Sequence, residues 1–569
     1  MKLLTIHSDF IEFEAKTKAI PQAEETDKGL RRYEECLVVF IAAEKGDEAD
    51  SDKVLEDAAK GIMNVGEQLG VRDIVLYPYV HLSQNPAPAS FAKSMLIKLE
   101  EHLQGKQYNV HHAPFGWYKA FKISAKGHPL SELSKQITVK ESDAPGKKPE
   151  EVYNYKELLR SISKTRLDLR ELKPNDHRII GQKLDLFSFN ETAPGMVFFH
   201  HNGLIIYNEL VNFWREEHVK AGYTEVSTPQ ILDKKLWQIS GHWEKYKENI
   251  FLTSYENREF AVKPMNCPGG LLVYKIRPKS YRDLPMRVAE LGIVHRQELS
   301  GVLGGLFRVI KFTQDDAHIY CTEDQIESEI EKIIELIDRF FKKFGLEFDH
   351  VELSTRPEKR MGDEKIWDLA EATLEKVLKK RKMSYRINPG DGVFYGPKID
   401  FHVKDSLGRT WQCSTIQLDF QMPERFELEY TDNNDKQKRP IMIHRVIYGS
   451  LERFMGVLLE HTSGNLPVWL SPTQVRVISF TDRNIAASEK VVEQFRNINI
   501  RVDQDFTSST VNDKVRNAEL MKIPYIIVIG DKEEANNTVA VRQRGSKPSF
   551  GVKLDDLINE ISEKIKKRL

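Results

Sequence analysis

At 569 residues the chain is several times the ~150 of a usual domain, so three or four domains, each with its own core, are expected. Apolar residues make up 40% and charged residues 30%; no apolar run approaches the ~18 residues of a membrane span, and the opening MKLLTIHSDFIEFEAK reads as an alternating strand rather than a leader peptide, so a cytoplasmic protein without a membrane partner is expected. A net charge of −1 excludes a globally basic nucleic-acid binder and leaves only local patches such as the closing KIKKRL, while four scattered cysteines (Cys36, Cys267, Cys321, Cys413) without a CxxC exclude a disulfide framework.

Residues 1–141 alternate β-rich runs (LLTIHSDFIEF, CLVVFIAAE, DIVLYPYVHL, WYKAFKIS) with helical patterns (DKVLEDAAKGIMNVGEQLG, PASFAKSMLIKLEEHLQG), which predicts an α/β domain. SDAPGKKPEE, 142–151, is Pro, Gly and charge without periodicity, and a charged connector continues it to 175. A new pattern begins at DHRIIGQKLDLFSFN and runs from 176 to 470. Within it HNGLIIYNELVNFWREEHVKAG has Leu204, Tyr207, Leu210, Val211 and Trp214 at helical spacing, followed by a strand, YTEVSTPQIL, that ends at Pro229.

Further on, HRQELSGVLGGLFRVIKFTQDDAHIYC sets polar side chains into strand-like sequence. Taken as two antiparallel strands joined by SGVLGG, alternation places Arg296 and Glu298 on one face and groups Gln314, Asp316 and His318 likewise. Such a face cannot be a packing surface, because buried charges without partners are too costly; it must line a pocket for a ligand both anionic and polar. RPIMIHRVIYGSLERFMGVLLEHT is a strand that turns through Gly449-Ser450 into an amphipathic helix, with Arg453 in the first turn, where the helix dipole favours an anion. From 471 to 569, SPTQVRVISF, PYIIVIG and LDDLINEISEKIKKRL form a further α/β module.

These three stretches resemble the signature motifs of the class II aminoacyl-tRNA synthetases: the helix and strand ending at Pro229, Arg296-Gln-Glu with Arg308, and GSLERF with Arg453. FTQDDAHIYC, MNCPGG, FYGPKIDFHV, WQCSTIQLDF and MIHRVIYGSLERF look like the threonyl-tRNA synthetase family in particular. The first 141 residues, HHAPFGWYKAFKISAKGHPLSEL above all, resemble the proofreading domain of its archaeal form, which is similar to D-aminoacyl-tRNA deacylase. The fold class implied is a multidomain α/β and α+β protein: a deacylase-like N-terminal domain, a class II core with an antiparallel sheet, and a C-terminal α/β anticodon-binding domain.

The resemblance implies attachment of threonine to tRNA(Thr) through threonyl-adenylate, by a homodimer. Arg296 would grip the α-phosphate and the threonine carboxylate, Glu298 the adenine amino group, and Arg308 a phosphate. Arg453 would stack on adenine, and Mg²⁺ would accompany ATP. Cys267, His318 and His444, far apart in sequence, would hold one Zn²⁺ per subunit with a position open to the amino and hydroxyl groups of threonine. Asp316 would accept from that hydroxyl, Gln314 and Tyr395 would orient the substrate, and Gln412, Thr415, Gln417 and Ser450 match pocket positions. Cys321 and Cys413 read as small buried hydrophobes. Glu533 and Arg542 match anticodon-reading positions, and His81, Tyr118, Lys119 and Glu132 match the site that hydrolyses mischarged seryl-tRNA(Thr). In one respect the chain departs from the family pattern: Gly304-Gly305 and Phe307 stand where a bulkier, more polar loop is expected. A non-catalytic tRNA-binding paralogue would have lost the pocket residues kept here, and a zinc nucleotide hydrolase would need the second cysteine that NCPGG lacks.

Overall fold

The alternation at the N-terminus becomes a 17-residue strand, β1 (Lys2–Lys18), long enough to organise a sheet by itself. It pairs antiparallel with β2 (Arg31–Ala42), β5 (Trp117–Ala125) and β6 (Glu132–Gln136), while β3 (Asp73–Pro78) and β4 (Asn109–His112) extend the sheet beyond β2 in parallel. Leu37, Val39 and Ile41 pack against the helices Ser51–Leu69 and Ala89–Gln104; Val38 and Phe40 point the other way, onto Phe13 and Tyr77. A run apolar at every position is thus a strand buried on both faces. Asp50 caps the first helix by accepting from Lys53 N, and Gly70 ends it in the left-handed conformation.

The computed structural model describes residues 1–137, 155–162 and 172–569, apart from Gln84, Pro129 and Asn257. The chain divides into two compact units, Met1–Val152 and Tyr153–Leu569. The expected linker, 142–151, lies outside the described residues. None of the described helices is long and apolar enough to cross a membrane.

The second unit is built on an eight-stranded sheet. Its strands are β7 (Thr224–Glu225), β8 (Met286–His295), β9 (Lys311–Cys321), β10 (Glu347–Ser354), β11 (Arg386–Asn388), β12 (Lys398–Lys404), β13 (Thr410–Asp419) and β14 (Ile441–Ser450), in the spatial order β11-β10-β12-β13-β14-β9-β8-β7. Only the two edge pairs are parallel. Alternation divides the faces: Ala317 and Ile319 of β9, Ile416 and Leu418 of β13, and Ile443 and Ile447 of β14 bury themselves against the helices His201–Lys220, Ile326–Phe344 and Leu451–His461. Asp316, His318, Thr415, Gln417 and His444 therefore take the other face.

Two expectations are corrected. Strand pairing covers Met286–His295 and Lys311–Cys321, so Arg296–Glu298 and Phe307–Ile310 lie in the connection, which contains a short 3₁₀ turn at Ser300–Val302. One further bond, Arg296 N to Ile310 O at 2.9 Å, closes its base. The strand ending at Pro229 shrinks to Thr224–Glu225, because only there does this edge meet β8; the chain then leaves the ladder and Thr228 turns onto the Glu290 carboxylate.

The C-terminal part of this unit, from Val475, is a five-stranded sheet of Val475–Ser479, Val502–Asp505, Tyr525–Ile529, Thr538–Gln543 and Ser549–Lys553, closed by the helix Leu554–Lys566.

Candidate active site

The polar face of the eight-stranded sheet carries a cavity of about 220 Å³. Arg296, Gln314, Asp316, Tyr395, Thr415, Gln417, Cys267 and His444 line it, all singled out in the sequence, together with Tyr246, Met265, Val393, Arg445 and Val446. Cys267 opens the helix Cys267–Lys275, and its sulfur lies within 4.8 Å of ligand atoms of His318 and His444. His318 sits opposite His444 in the β9–β14 register, with rings edge-on at 5.0 Å. Asp419 Oδ2 lies 2.8 Å from His444 Nε2; a proton held there leaves Nδ1 as the free lone pair. His318 Nε2 is buried and meets no hydrogen-bond partner among the described residues. Burial pushes the Cys267 thiol well up and His318 well down. A thiol and two imidazoles brought together, one with an orphaned nitrogen, fit a metal such as zinc.

The substrate-facing groups are similarly pre-set. Tyr395 Oη donates to Gln417 Oε1 at 2.6 Å, which leaves the Gln417 amide NH₂ to donate. Asn266 Nδ2 reaches Asp316 Oδ2 at 3.2 Å, an approach that requires Gly292 on β8: a Cβ there would stand 1.9 Å from Asn266 Oδ1. Burial raises the Asp316 carboxyl. Arg296 is held by Pro264 O at 3.1 Å and lies over the Phe312 ring. Gln412 Nε2 and Thr415 Oγ1 both donate to Asp400 Oδ1, at 2.6 and 2.7 Å, and Gln412 does not line the cavity.

Sequence reasoning chose Asp316 and passed over its neighbour Asp315, which builds the site from behind. The β9–β14 register jumps between Gln314↔Ser450 and Asp316↔Val446. In that bulge the Asp315 carboxylate accepts from the amides of Ile447, Tyr448 and Gly449, at 2.9, 3.0 and 2.9 Å. Its desolvation is so large that its pKa rises to about 6 even so. Gly449 has φ +83°, and a Cβ there would lie 2.6 Å from Cys413 O. The kink delivers Ser450, whose hydroxyl caps the helix Leu451–His461 by accepting from Arg453 N at 3.1 Å. Arg453 Nε donates to Phe307 O at 3.0 Å, while Arg308 and Glu298 pair with each other at 2.9 Å. A doubled aspartate in strand sequence was the available signal for Asp315.

Residues 1–137 contain a second cavity, of about 440 Å³, lined by His81, Tyr118 and Lys119 with Tyr77, Tyr79, Phe121 and largely apolar neighbours. Lys119 Nζ donates to Pro114 O and Trp117 O, at 3.0 and 3.1 Å, and lies 4.9 Å above the Tyr77 ring. Burial lowers its pKa to about 8. Glu132 does not line this cavity; it is exposed on β6, opposite Ile6.

Both cavities lie almost entirely in stretches that match known protein families. Residues 1–137 match the archaea-specific editing domain of threonyl-tRNA synthetase, 251–462 the tRNA synthetase class II core domain (G, H, P, S and T), and 474–564 the anticodon binding domain. A crystal structure of the RNA binding domain of threonyl-tRNA synthetase from Cryptosporidium parvum Iowa II is 42% identical, with a TM-score of 0.67; the match covers 68% of this chain and 98% of that one. The chain belongs to the threonyl-tRNA synthetase family.

Threonine–tRNA ligases of Carboxydothermus hydrogenoformans and Desulforamulus reducens are 54% and 53% identical over 401 and 400 residues, 70% of this chain in each case. The chain spans 63% of the length of these curated relatives. In this threonyl-tRNA synthetase family member, the two C-terminal residues singled out in the sequence are engaged locally: Glu533 Oε2 accepts from Gly530 N at 3.1 Å, and Arg542 pairs with Glu519 at 2.8 Å. Cys321 and Cys413 are buried free thiols.

Proposed function

We propose that this protein activates threonine with ATP, transfers it to tRNA(Thr), and hydrolyses seryl-tRNA(Thr) in its first 137 residues. The observation that carries the reading is the convergence of Arg296, Gln314, Asp316, Tyr395, Gln417, Cys267 and His444 in one cavity on the polar sheet face, with His318 behind it within reach of Cys267 and His444. The proposed domains are 1–141 for editing, 142–175 as connector, 176–470 for catalysis and 471–569 for the anticodon, where Glu533 and Arg542 would meet bases.

In activation the threonine carboxylate attacks the α-phosphorus of ATP; a C–O–P linkage forms, the bond to the bridging oxygen breaks, and pyrophosphate leaves with its electron pair. Arg296 draws the two anions together and stabilises the charge that builds on the α-phosphate, with Arg308, Arg453 and Mg²⁺ neutralising the leaving group. Glu298 and Arg453 hold the adenine, while Gln412, Thr415 and Ser450 belong to the threonine pocket, the first two through their shared hold on Asp400. Asp316 accepts a hydrogen bond from the threonine hydroxyl, and Gln314, Tyr395 and Gln417 orient the amino acid. Cys267, His318 and His444 would hold Zn²⁺, which supplies an open Lewis-acid position for the amino and hydroxyl groups. In the second cavity Lys119, Tyr118 and His81 orient the mischarged ribose; Glu132, exposed on β6 outside the cavity lining, would act there only from its rim.

A homodimer is part of the reading. Among the described residues nothing pairs with the outer side of β7, the edge where the expected longer strand is cut short. Cytoplasmic localisation follows from the function proposed.

Pyrophosphate exchange and tRNA charging with threonine, serine and valine test the reading. Threonine should be charged, valine rejected by about 10⁴-fold for want of a hydroxyl, and seryl-tRNA cleared by the whole chain but not after deletion of 1–137. No threonine-dependent exchange would sink the first activity. Equal clearance of seryl-tRNA by the truncated protein would sink the second.

A further inference from the structure

The sheet that carries the candidate active site holds a second group of potential metal-ligating side chains, on the two strands inside its β11 edge and with no part in the chemistry above. His350 of β10 and His402 of β12 face each other in register and stack, with ring centroids 4.3 Å apart and planes 11° from parallel. Glu352, two residues further along β10, turns its carboxylate to both: Oε1 is 3.2 Å from His350 Nε2 and Oε2 is 3.6 Å from His402 Nε2. We propose that His350, Glu352 and His402 form a binding site for a divalent transition-metal ion of the zinc type, distinct from the Cys267–His318–His444 group.

Four observations carry this beyond a chance cluster. First, the spacing is near that of an ion site. Two ligands bound at the usual zinc distances of ~2.0–2.1 Å with tetrahedral angles stand about 3.3 Å apart, close to both nitrogen–oxygen separations above; the three ligand atoms all lie within 4.8 Å of one another, and a turn of the stacked rings would bring both nitrogen lone pairs onto one ion. Second, His402 Nε2 is buried and has no hydrogen-bond partner among the described residues. Leaving such a nitrogen unsatisfied is costly, and a metal bond would satisfy it. Third, the ligands are themselves held: Asp349 Oδ2 lies 2.7 Å from His350 Nδ1 and Asn388 Nδ2 donates to Glu352 Oε2 at 3.0 Å. A carboxylate behind a histidine, presenting the other ring nitrogen forward, is the usual outer support of a metal ligand. Fourth, both ladders are irregular here. The β10–β12 register skips Asp349 immediately before His350, and the β12–β13 register shifts between Phe401 and His402. Bulges re-aim side chains, and these two flank the histidines.

Burial and the neighbouring His350 both lower the proton affinity of His402, which favours the neutral form that binds metal. The three side chains remain 16–20% exposed, which gives an ion access. Two imidazoles and one carboxylate select zinc, cobalt or nickel over magnesium or calcium, which prefer all-oxygen shells. A third candidate group, Asp176–His177–Glu460, fails the same test: His177 Nε2 accepts from Leu306 N and Nδ1 faces Glu460, so no lone pair is free.

The test is Co²⁺ titration of the full chain after chelator treatment, followed by visible absorption. The site proposed here contributes d–d bands without a sulfur charge-transfer band, whereas an ion on Cys267 gives that band in the near ultraviolet. His350→Ala/His402→Ala should lose one Co²⁺ equivalent and its d–d bands. Glu352→Gln, which keeps the shape of the side chain, should weaken the same class at least about tenfold and decides the matter if the double variant is unstable. Unchanged Co²⁺ stoichiometry and spectra in Glu352→Gln and in a folded double variant would overturn the proposal. Absence of the sulfur band from every variant would count against the Cys267 site alone and leave this comparison intact.

Discussion

Gly305→Ala is the most direct test of how the loop between β8 and β9 is locked. Gly305 has φ +55°, and a Cβ there would stand 2.2 Å from His177 Nε2 and 3.0 Å from Arg178 Cγ. The left-handed backbone costs an alanine about 1 kcal/mol, roughly offset by the lost freedom of the unfolded glycine. The clash is the larger effect. His177 must swing away, yet its Nε2 accepts from Leu306 N at 2.9 Å and its Nδ1 lies 2.6 Å from the buried Glu460 carboxylate. A buried N–H and a buried carboxylate each lose a partner, at about 1–3 kcal/mol for such groups. A net local loss of about 2–3 kcal/mol corresponds to a fall of roughly 30- to 150-fold in amide protection over 304–310. Phe307 O, which holds Arg453 Nε at 3.0 Å, lies in that segment, so the KM for ATP should rise while metal content stays constant. Hydrogen exchange by mass spectrometry and pyrophosphate exchange read the two effects. His177→Ala removes the main obstacle, so Gly305→Ala made in that background should add less than about 1 kcal/mol. Wild-type protection in Gly305→Ala, or strict additivity in the double variant, would refute the account.

Arg296→Ala should abolish threonine-dependent pyrophosphate exchange with the circular dichroism spectrum unchanged; retained exchange would remove Arg296 from the chemistry. Cys267→Ser and His444→Ala should each lose bound zinc and threonine affinity together, read by metal analysis and calorimetry; full zinc in both would mean other ligands. Lys119 has a folded pKa of about 8 against an ordinary 10.5, so the unfolded chain binds the extra proton between those values. Its destabilising contribution is therefore full below pH 8 and relieved as pH rises toward 10.5, and Lys119→Met should flatten that rise in the urea midpoint of the N-terminal unit.

Much of this was legible because a strand's side-chain period is two. Gln314, Asp316 and His318 alternate with Ala317 and Ile319, so one glance at β9 separates pocket from core. The clustering of Cys267, His318 and His444 was not derivable from spacing; it came from family resemblance, since only the register of β9 with β14 and the placement of the helix Cys267–Lys275 bring them together. Bulges were the main blind spot. Asp315 sits where one residue of β9 opposes a looped-out Ile447–Gly449, and His402 follows a register shift, so strict alternation misplaces both. Glycines were read as departures from family pattern, yet Gly305 answers to His177, 128 positions earlier in the chain, and no local signal contains that contact. The strand expected to run to Pro229 shortened because strand propensity needs a partner, and this edge offers one only at Thr224–Glu225.

The two cavities have opposite wall chemistry, and that difference bears on the proposed division of labour. On the proposed function the sheet pocket would satisfy a hydroxyl through Asp316 and the Cys267–His318–His444 group, so a substrate without one would leave buried polar groups unpaired and be rejected strongly. Serine brings the same hydroxyl and amino groups and lacks only a methyl. Its exclusion therefore rests on lost packing, about 1–3 kcal/mol, or roughly 10- to 200-fold. Tightening the pocket does not help, because any space that admits threonine admits serine. Discrimination must then act on a different intermediate, after transfer, in a cavity that need not accommodate threonine productively. The second cavity is large enough for a terminal nucleoside, at about 440 Å³, and is walled mainly by apolar and aromatic side chains around one lysine whose pKa has been brought down to about 8. A lysine so desolvated, above the Tyr77 ring and with two of its N–H groups already given to Pro114 O and Trp117 O, would on the proposed function steer a ribose hydroxyl and water rather than grip phosphate, which is the chemistry that hydrolysis of an aminoacyl ester requires.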